Sequence, residues 1–402
     1  MVVAGVVAGV PGLWLVAAAT FAYGTLTQVW SRRGPGDVDY QRRLGTTRAV
    51  VGDLVALDIT VWNRRALPLP WIAADDLVTD GLVLREGGEL DVDDEELGRR
   101  TIRNTWALAW YERVVRHYHI EAVRRGTYEF GPVRVRIRDI VGRQAGADRR
   151  ELPDRLLVAP RALPVRAPGD PLSLTGERRA HQGLVHDPAL FGGVRPFQPG
   201  DPLRRIHWRA TARIGRPVSR RYEPARNRQV LIALDVQTID GPFWEMSWDD
   251  DAFEGLCVTA ASIARHLLAE GAAVGLAAAG FSGTAQRIAY LAPQAATGQL
   301  TRCTDLLARI GPVSSGPYAS LLTWLPRRLA PGAEILAVSA RDPSSFLPVL
   351  RRLRASGYAA QVLAHGDGAS AAVQMARGAG IPARSARLTP DWQHAHVVDL
   401  AS

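Results

Sequence analysis

The chain contains no lysine: all 49 basic residues among its 402 are arginine. That absence removes whole mechanisms. A Walker-A loop needs a lysine on the phosphates. Schiff-base and pyridoxal chemistry needs its amine. A protein kinase needs one on a strand, and Ser-x-x-Lys enzymes need one beside the nucleophile. Cysteine is scarce as well. Cys257 and Cys303 lie in separate apolar, helix-like stretches, so there is no disulfide framework and no zinc ligand set. Two buried free thiols fit a reducing compartment. No Gly-x-Gly-x-x-Gly follows the first apolar strand of the C-terminal half and no Gly-x-Ser-x-Gly occurs. These absences argue against a dinucleotide site and against the hydrolase nucleophile elbow.

What remains is ordinary for folded protein, 47% hydrophobic and 22% charged, and long enough for two or three domains. Charge is missing from Val2 to Ser31, a run of 30 residues. About 20 apolar residues cross a bilayer as a helix, and Leu13–Trp30, after the Val10-Pro11-Gly12 break, is the best span. Trp14, Tyr23 and Trp30 suit membrane interfaces, and Arg32 and Arg33 follow at once. Positive flanks stay in the cytoplasm. The expectation is a single-pass anchor over 1–33 with the bulk of the chain cytoplasmic. A cleaved signal peptide with Ala17-Ala18-Ala19 as its cleavage region is the rival, weakened by the lack of a basic start. A two-helix hairpin with an upstream start is a further possibility.

Residues 36–165 read as a β-sandwich domain. Val51–Asn63, Trp106–Trp110 and Val114–Val123 alternate apolar and polar side chains, and Thr127–Ile137 reads as two strands around Gly131-Pro132. The acidic stretch Glu89–Glu96 reads as a solvated hairpin tip. His117-x-His119 falls on one strand face without a third ligand for a metal. His394-x-His396 is read the same way.

Residues 229–402 alternate strand and helix. Val230–Asp235 is short and wholly apolar, as a central parallel strand buried on both faces must be. Ala252–Ala269 has helical period, Ala273–Ala279 and Glu334–Ser339 read as strands, and Val397–Leu400 closes the sheet. Such alternation implies a doubly wound α/β domain.

Between the domains, residues 166–228 form a linker ending in an arginine-rich run. From Arg195 to Arg228 ten Arg face two acids, Asp201 and Glu223, so this segment holds +8 of the net +9. Asp201 suits an N-cap, Pro202 the first helical position, and Gly215 a left-handed end. Leu203, Ile206, Ala210 and Ile214 then form an apolar face. Arg204, Arg205, Trp208, Arg209 and Arg213 spread around the rest.

The run Arg195, Phe197, Pro199, Gly200, Asp201, Arg204, Ile206, Trp208, Ala212, Arg213 resembles the hallmark of the bacterial family called domain of unknown function 58. The resemblance implies a membrane anchor, a β domain and a von Willebrand A-like α/β domain. It also implies work beside a MoxR-type AAA+ ATPase, as adaptor or co-chaperone in assembly or maturation of another complex. It carries no catalytic residues and no cofactor. The candidate interaction residues are Arg195, Pro199, Gly200, Asp201, Arg204, Arg205, His207, Trp208, Arg209 and Arg213. A von Willebrand A domain often holds a metal through Asp-x-Ser-x-Ser after its first strand. Here those positions are Asp235, Gln237 and Ile239, a degenerate set that lacks both hydroxyls, with Asp342 or Ser315 as outlying oxygens. Asp235 is therefore read as capping a loop, and no metal is expected.

Three function classes follow. An interaction module is favoured by the family resemblance and the missing catalytic constellation. Nucleic-acid or anionic-ligand binding through the arginines with Trp208 and Tyr222 is the second; the anchor and the apolar helix face count against it. An uncharacterised hydrolase is the third, with no nameable triad.

Overall fold

The structure, a computed structural model, describes residues 11–32, 37–86, 90–94, 99–138, 144–167, 186–197, 206–224, 228–245, 247–281, 287–389 and 391–401. The chain divides into two compact units, Met1–Ala159 and Pro160–Ser402.

In the first unit, alternation produces two stacked sheets. One orders the strands Val38–Leu44, Leu54–Asn63, Arg113–Ala122 and Leu82–Glu86. The other runs Arg48–Val50, Asp154–Ala159, Gly126–Arg138, Leu69–Thr79, Arg99–Leu108, Leu90–Asp94, with Gln144–Arg150 also paired to Gly126–Arg138. Every second residue of Leu54–Asn63 points inward, so Leu57, Ile59 and Val61 are fully buried and meet Ile72, Val133 and Val135 of the facing sheet. Each such side chain contributes roughly 1.5–3 kcal/mol. A small charged network crosses this core. Arg42 Nη1 lies 2.5 Å from Asp76 Oδ1, the Tyr40 hydroxyl donates to Asp76 Oδ2 at 2.9 Å, and Arg42 Nε donates to Asp154 at 3.0 Å.

Three details differ from the sequence reading. Thr127–Ile137 is not two strands but part of one, Gly126–Arg138. Gly131 has φ +90°, and a Cβ there would stand 2.7 Å from the Leu152 carbonyl, so glycine lets the strand run on where the sequence suggested a break. The acidic stretch contributes a strand, Leu90–Asp94, paired with Arg99–Leu108; its remaining residues lie outside the described ones. Leu13–Trp30 is helical, within Pro11–Arg32, yet no helix among the described residues is long and apolar enough to cross a membrane. Gly12, Thr20, Gly24, Thr25, Thr27 and Gln28 dilute the apolar run, and the Thr20 and Thr25 hydroxyls bond back to the helix's own carbonyls.

The second unit is built on an eight-stranded sheet ordered Val165–Arg166, Val398–Ala401, Ala383–Leu388, Ala359–His365, Glu334–Ser339, Gln229–Leu234, Ala273–Ala278, Ala289–Gln294. The central five are mutually parallel. Ala289–Gln294 is an antiparallel edge. Val230, Ile232 and Leu234 pack to one face with helices Asp250–Ala269 and Gln299–Arg309. Leu231 and Ala233 pack to the other with Tyr318–Trp324, Leu347–Ala355 and Ala369–Gly378. Burial on both faces is why Gln229–Leu234 carries no charge. Cys257 and Cys303 are buried thiols on the first face, and burial pushes the Cys303 thiol up to about 12. Helix Ala369–Gly378 and strand Ala383–Leu388 had no clear sequence signal: the helix is short and alanine-rich, and the strand carries Arg384 and Arg387.

Candidate interaction site

The arginine-rich segment is organised by strand pairing rather than by a long helix. His186–Pro196 and Val218–Pro224 form an antiparallel pair, with Arg195 opposite Ser219 and Pro196 opposite Val218. The Phe197 N–H donates to the Pro217 carbonyl at 3.1 Å. On its return the chain adds a second contact to the same strand. Ile206 bridges Ser219, and the His207 N–H donates to the Val218 carbonyl at 2.9 Å. A helix follows only over Trp208–Ile214. Its start is capped by His207, whose Nδ1 accepts the Ala210 N–H at 3.1 Å, and it ends at Gly215, left-handed at φ 75°. The Thr211 hydroxyl accepts the Val218 N–H at 3.2 Å and ties helix to strand.

This corrects the expected geometry. Ile206 is buried at 7% exposure, but as a strand residue ahead of the helix rather than on a helical face. Trp208 is 69% exposed and Ile214 47%, and no residue of the helix is buried. Ile206 and His207 are paired to the strand, so the described helix begins at Trp208, later than the Asp-Pro signal suggested. Arg209, Arg213 and Arg216 are exposed, and none of them forms an ion pair with another described residue. Pro199, Gly200, Asp201, Arg204 and Arg205 lie outside the described residues; Arg195 is placed only by its strand register. The sequence reading missed His207 as the cap and Thr211 as the tie. A side-chain acceptor three residues ahead of Ala210 was the available signal for the cap.

A second cluster lies at the carboxyl ends of Gln229–Leu234 and Glu334–Ser339, where the connections leave in opposite directions along the sheet. Ligands of doubly wound folds bind at such a crevice. Asp235 is buried there. Its Oδ2 accepts Arg341 Nε at 2.8 Å and the Ser339 hydroxyl at 3.0 Å, and its Oδ1 accepts the Gln237 N–H at 3.3 Å. Burial pushes its carboxyl above the usual carboxylate range, and the Arg341 guanidinium, Ser339 and Gln237 pull it back. The Gln237 bond is the loop cap read from the sequence. Arg341 was missed, although it follows the neighbouring parallel strand by two residues. Asp235 is thereby paired with a cation of the chain itself. Asp342 caps the turn at Pro343–Ser345 through the Ser344 N–H, and the Ser315 hydroxyl bonds to the Arg287 carbonyl. Among the described residues no three His, Cys, Asp or Glu gather as a metal set. His117 and His119 share an exposed face, with His117 Nδ1 2.6 Å from Asp58; His394 pairs with Asp391 at 3.0 Å.

Residues 193–322 match the family described as "Protein of unknown function DUF58". That stretch of the chain carries the DUF58 match. The matched region spans the arginine-rich segment and three strands of the α/β sheet, Gln229–Leu234, Ala273–Ala278 and Ala289–Gln294. The chain is also similar to the uncharacterized protein YeaD of Bacillus subtilis (strain 168), 26% identical over 245 residues, or 60% of this chain. The match spans 55% of that relative, about half its length. Solved structures overlap weakly. The CARDB domain of the PF1109 protein from Pyrococcus furiosus covers 30% of this chain and 92% of its own, at 11% identity and TM-score 0.19. CaCohA2 from Clostridium acetobutylicum covers 30% and 90%, at 14% identity and TM-score 0.22. Overlaps of that size carry no argument about this protein.

Proposed function

We propose that this protein is a membrane-anchored adaptor that docks a MoxR-type AAA+ ATPase through its arginine-rich segment, in the assembly or maturation of another complex. The observation that carries the reading is the helix Trp208–Ile214. It exposes Trp208, Arg209 and Arg213, buries none of its own residues, and is tied to a strand by the His207 N–H just ahead of it and by the Thr211 hydroxyl. An internal structural role would have sunk those arginines into ion pairs, as Arg341 is sunk. Planar guanidinium forks suit carboxylates on a partner, and Trp and Arg dominate binding hot spots.

The finer fold assignment, a von Willebrand A-like domain, belongs to the same proposal. It is supported by the parallel central strands, the helices on both faces and the Asp235 position after Gln229–Leu234. The anchor is supported by the uncharged run Val2–Ser31, by the arginines after it, and by Leu15 and Phe21, 74% and 73% exposed on Pro11–Arg32. Large apolar side chains left open on a helix mark a surface that meets lipid or a partner. A C-terminal reporter active only in its cytoplasmic form is the expected topology result; activity only as an exported reporter overturns it.

The docking test is co-purification with the MoxR-type ATPase of the same genome. The full chain should retain it, and Arg209→Ala with Arg213→Ala should release it without lowering the melting temperature. Retention by the double variant sinks the reading. The exposed Trp208 between arginines also fits an anionic ligand. Salt-sensitive binding of a labelled oligonucleotide, lost in the same variant, would favour that second reading.

A further inference from the structure

From Gln229 to Ala264 the chain has no arginine at all, while Asp240, Glu245, Asp249, Asp250 and Asp251 crowd into twelve positions of it. These acids lie on the loop that follows Gln229–Leu234 and at the start of the helix Asp250–Ala269. The same loop exposes large apolar side chains. Trp244 is 69% exposed, Ile239 42% and Trp248 37%. The Phe243 and Trp244 rings meet edge to face at 5.1 Å. Phe243, Glu245 and Trp248 line one cleft with Pro312 and Val313. Phe281, 49% exposed, is joined to that second wall, its carbonyl accepting the Gly311 N–H at 3.0 Å.

Elsewhere the chain repeatedly covers tryptophan with arginine. Arg138 sits 4.2 Å from the Trp71 ring, Arg116 4.8 Å from Trp106 and Arg328 5.2 Å from Trp324. Trp244 has no such cover among the described residues. An open aromatic face with a carboxylate such as Glu245 in the same cleft suits a guanidinium, which gains from the ring and the acid together. The complement is on the same chain: Arg195–Arg228 holds +8, with Arg209 and Arg213 one helical turn apart, exposed and in no ion pair with another described residue.

We infer that the acidic aromatic surface of Ile239–Asp251 is a docking site for the arginine-rich segment of a second copy of this chain. Two different patches meet, so the contact is head to tail and the pair as a whole keeps one patch of each kind open. The inference goes beyond the adaptor reading and does not depend on the ATPase.

The test is sedimentation of the full-length protein in one mild detergent throughout, over a range of concentrations, at about 0.05 M and about 0.5 M salt, which straddle strong and weak screening. Concentration-dependent self-association is expected at low salt and its loss at high salt. Trp244→Ala should weaken it roughly thirtyfold, as truncating an aromatic hot spot does. Arg209→Ala with Arg213→Ala should weaken it comparably. Mixing the two variants in equal amounts should restore dimers and nothing larger, because one intact patch of each kind remains. If Trp244→Ala melts early, Glu245→Arg replaces it and must abolish the same association. A protein monomeric at every concentration in low salt, association unmoved by either variant, or a mixture that stays monomeric overturns the inference.

Discussion

Arginine does two opposite things in this molecule. At Arg341 it is sunk beside the sheet, 8% exposed, against an Asp235 side chain that is 1% exposed. At Arg209 and Arg213 it stands in solvent on a helix that buries nothing. The first kind completes the fold: a buried carboxylate with no cation near it is strongly destabilising. The second kind adds little to stability, because exposed charges are screened and lose side-chain freedom when they pair. A chain whose basic side chains are all arginine and histidine therefore still separates interior cations from surface ones by where they sit. Arg42, paired with Asp76 inside the sandwich, belongs with Arg341.

The comparison is broken most strongly at the interior pair. Arg341→Ala should cost about 3–5 kcal/mol, because Asp235 stays buried without its partner. Adding Asp235→Asn should recover much of that loss in a denaturation cycle. Equal loss in the single and double variants would mean that packing, not charge, dominates there.

Somewhat smaller is the effect of His365, 8% exposed, whose Nδ1 lies 3.3 Å from the Thr259 hydroxyl. Burial pulls its imidazole down from 6.5 to about 4. Its folded value lies below its unfolded one, so the unfolded chain takes up the proton first as the pH falls. The contribution is full above pH 6.5 and is lost between there and about pH 4, by about 3 kcal/mol in all. His365→Gln should flatten that part of the stability profile. A profile that keeps its slope in the variant would place the acid sensitivity elsewhere.

Ile206→Ala should cost about 2 kcal/mol, since the side chain is buried where its strand residue bridges Ser219. At the small end, Arg209→Ala and Arg213→Ala should each change stability by less than about 0.5 kcal/mol. A loss at Arg213 as large as at Ile206 would move it into the interior class.

The α/β sheet was legible because its strands are short and apolar and its helices periodic. Glu334–Ser339 was read to the residue, and Gln229–Leu234 was one position off. What failed to show was anything settled by distant partners. The Asp201-Pro202 and Gly215 signals bracketed a long helix, but Ile206 and His207 pair with Val218–Pro224 and the described helix starts at Trp208. Gly131-Pro132 signalled a break that strands on both sides override. Asp235 was legible as a loop cap, whereas its cation was not, because Arg341 lies 106 positions away and only the parallel pairing of the two strands brings it near. The exposed aromatics of Ile239–Trp248 carry no periodicity to mark them in sequence.

The claim that the surface arginines of this protein serve a partner is tested most directly by pairing two readings on one variant, Arg209→Ala with Arg213→Ala. Its melting temperature should match the wild-type protein. Its association with the MoxR-type ATPase should slow, most at low salt, where charge steering is strongest. Unchanged melting together with unchanged, salt-insensitive association would contradict the account.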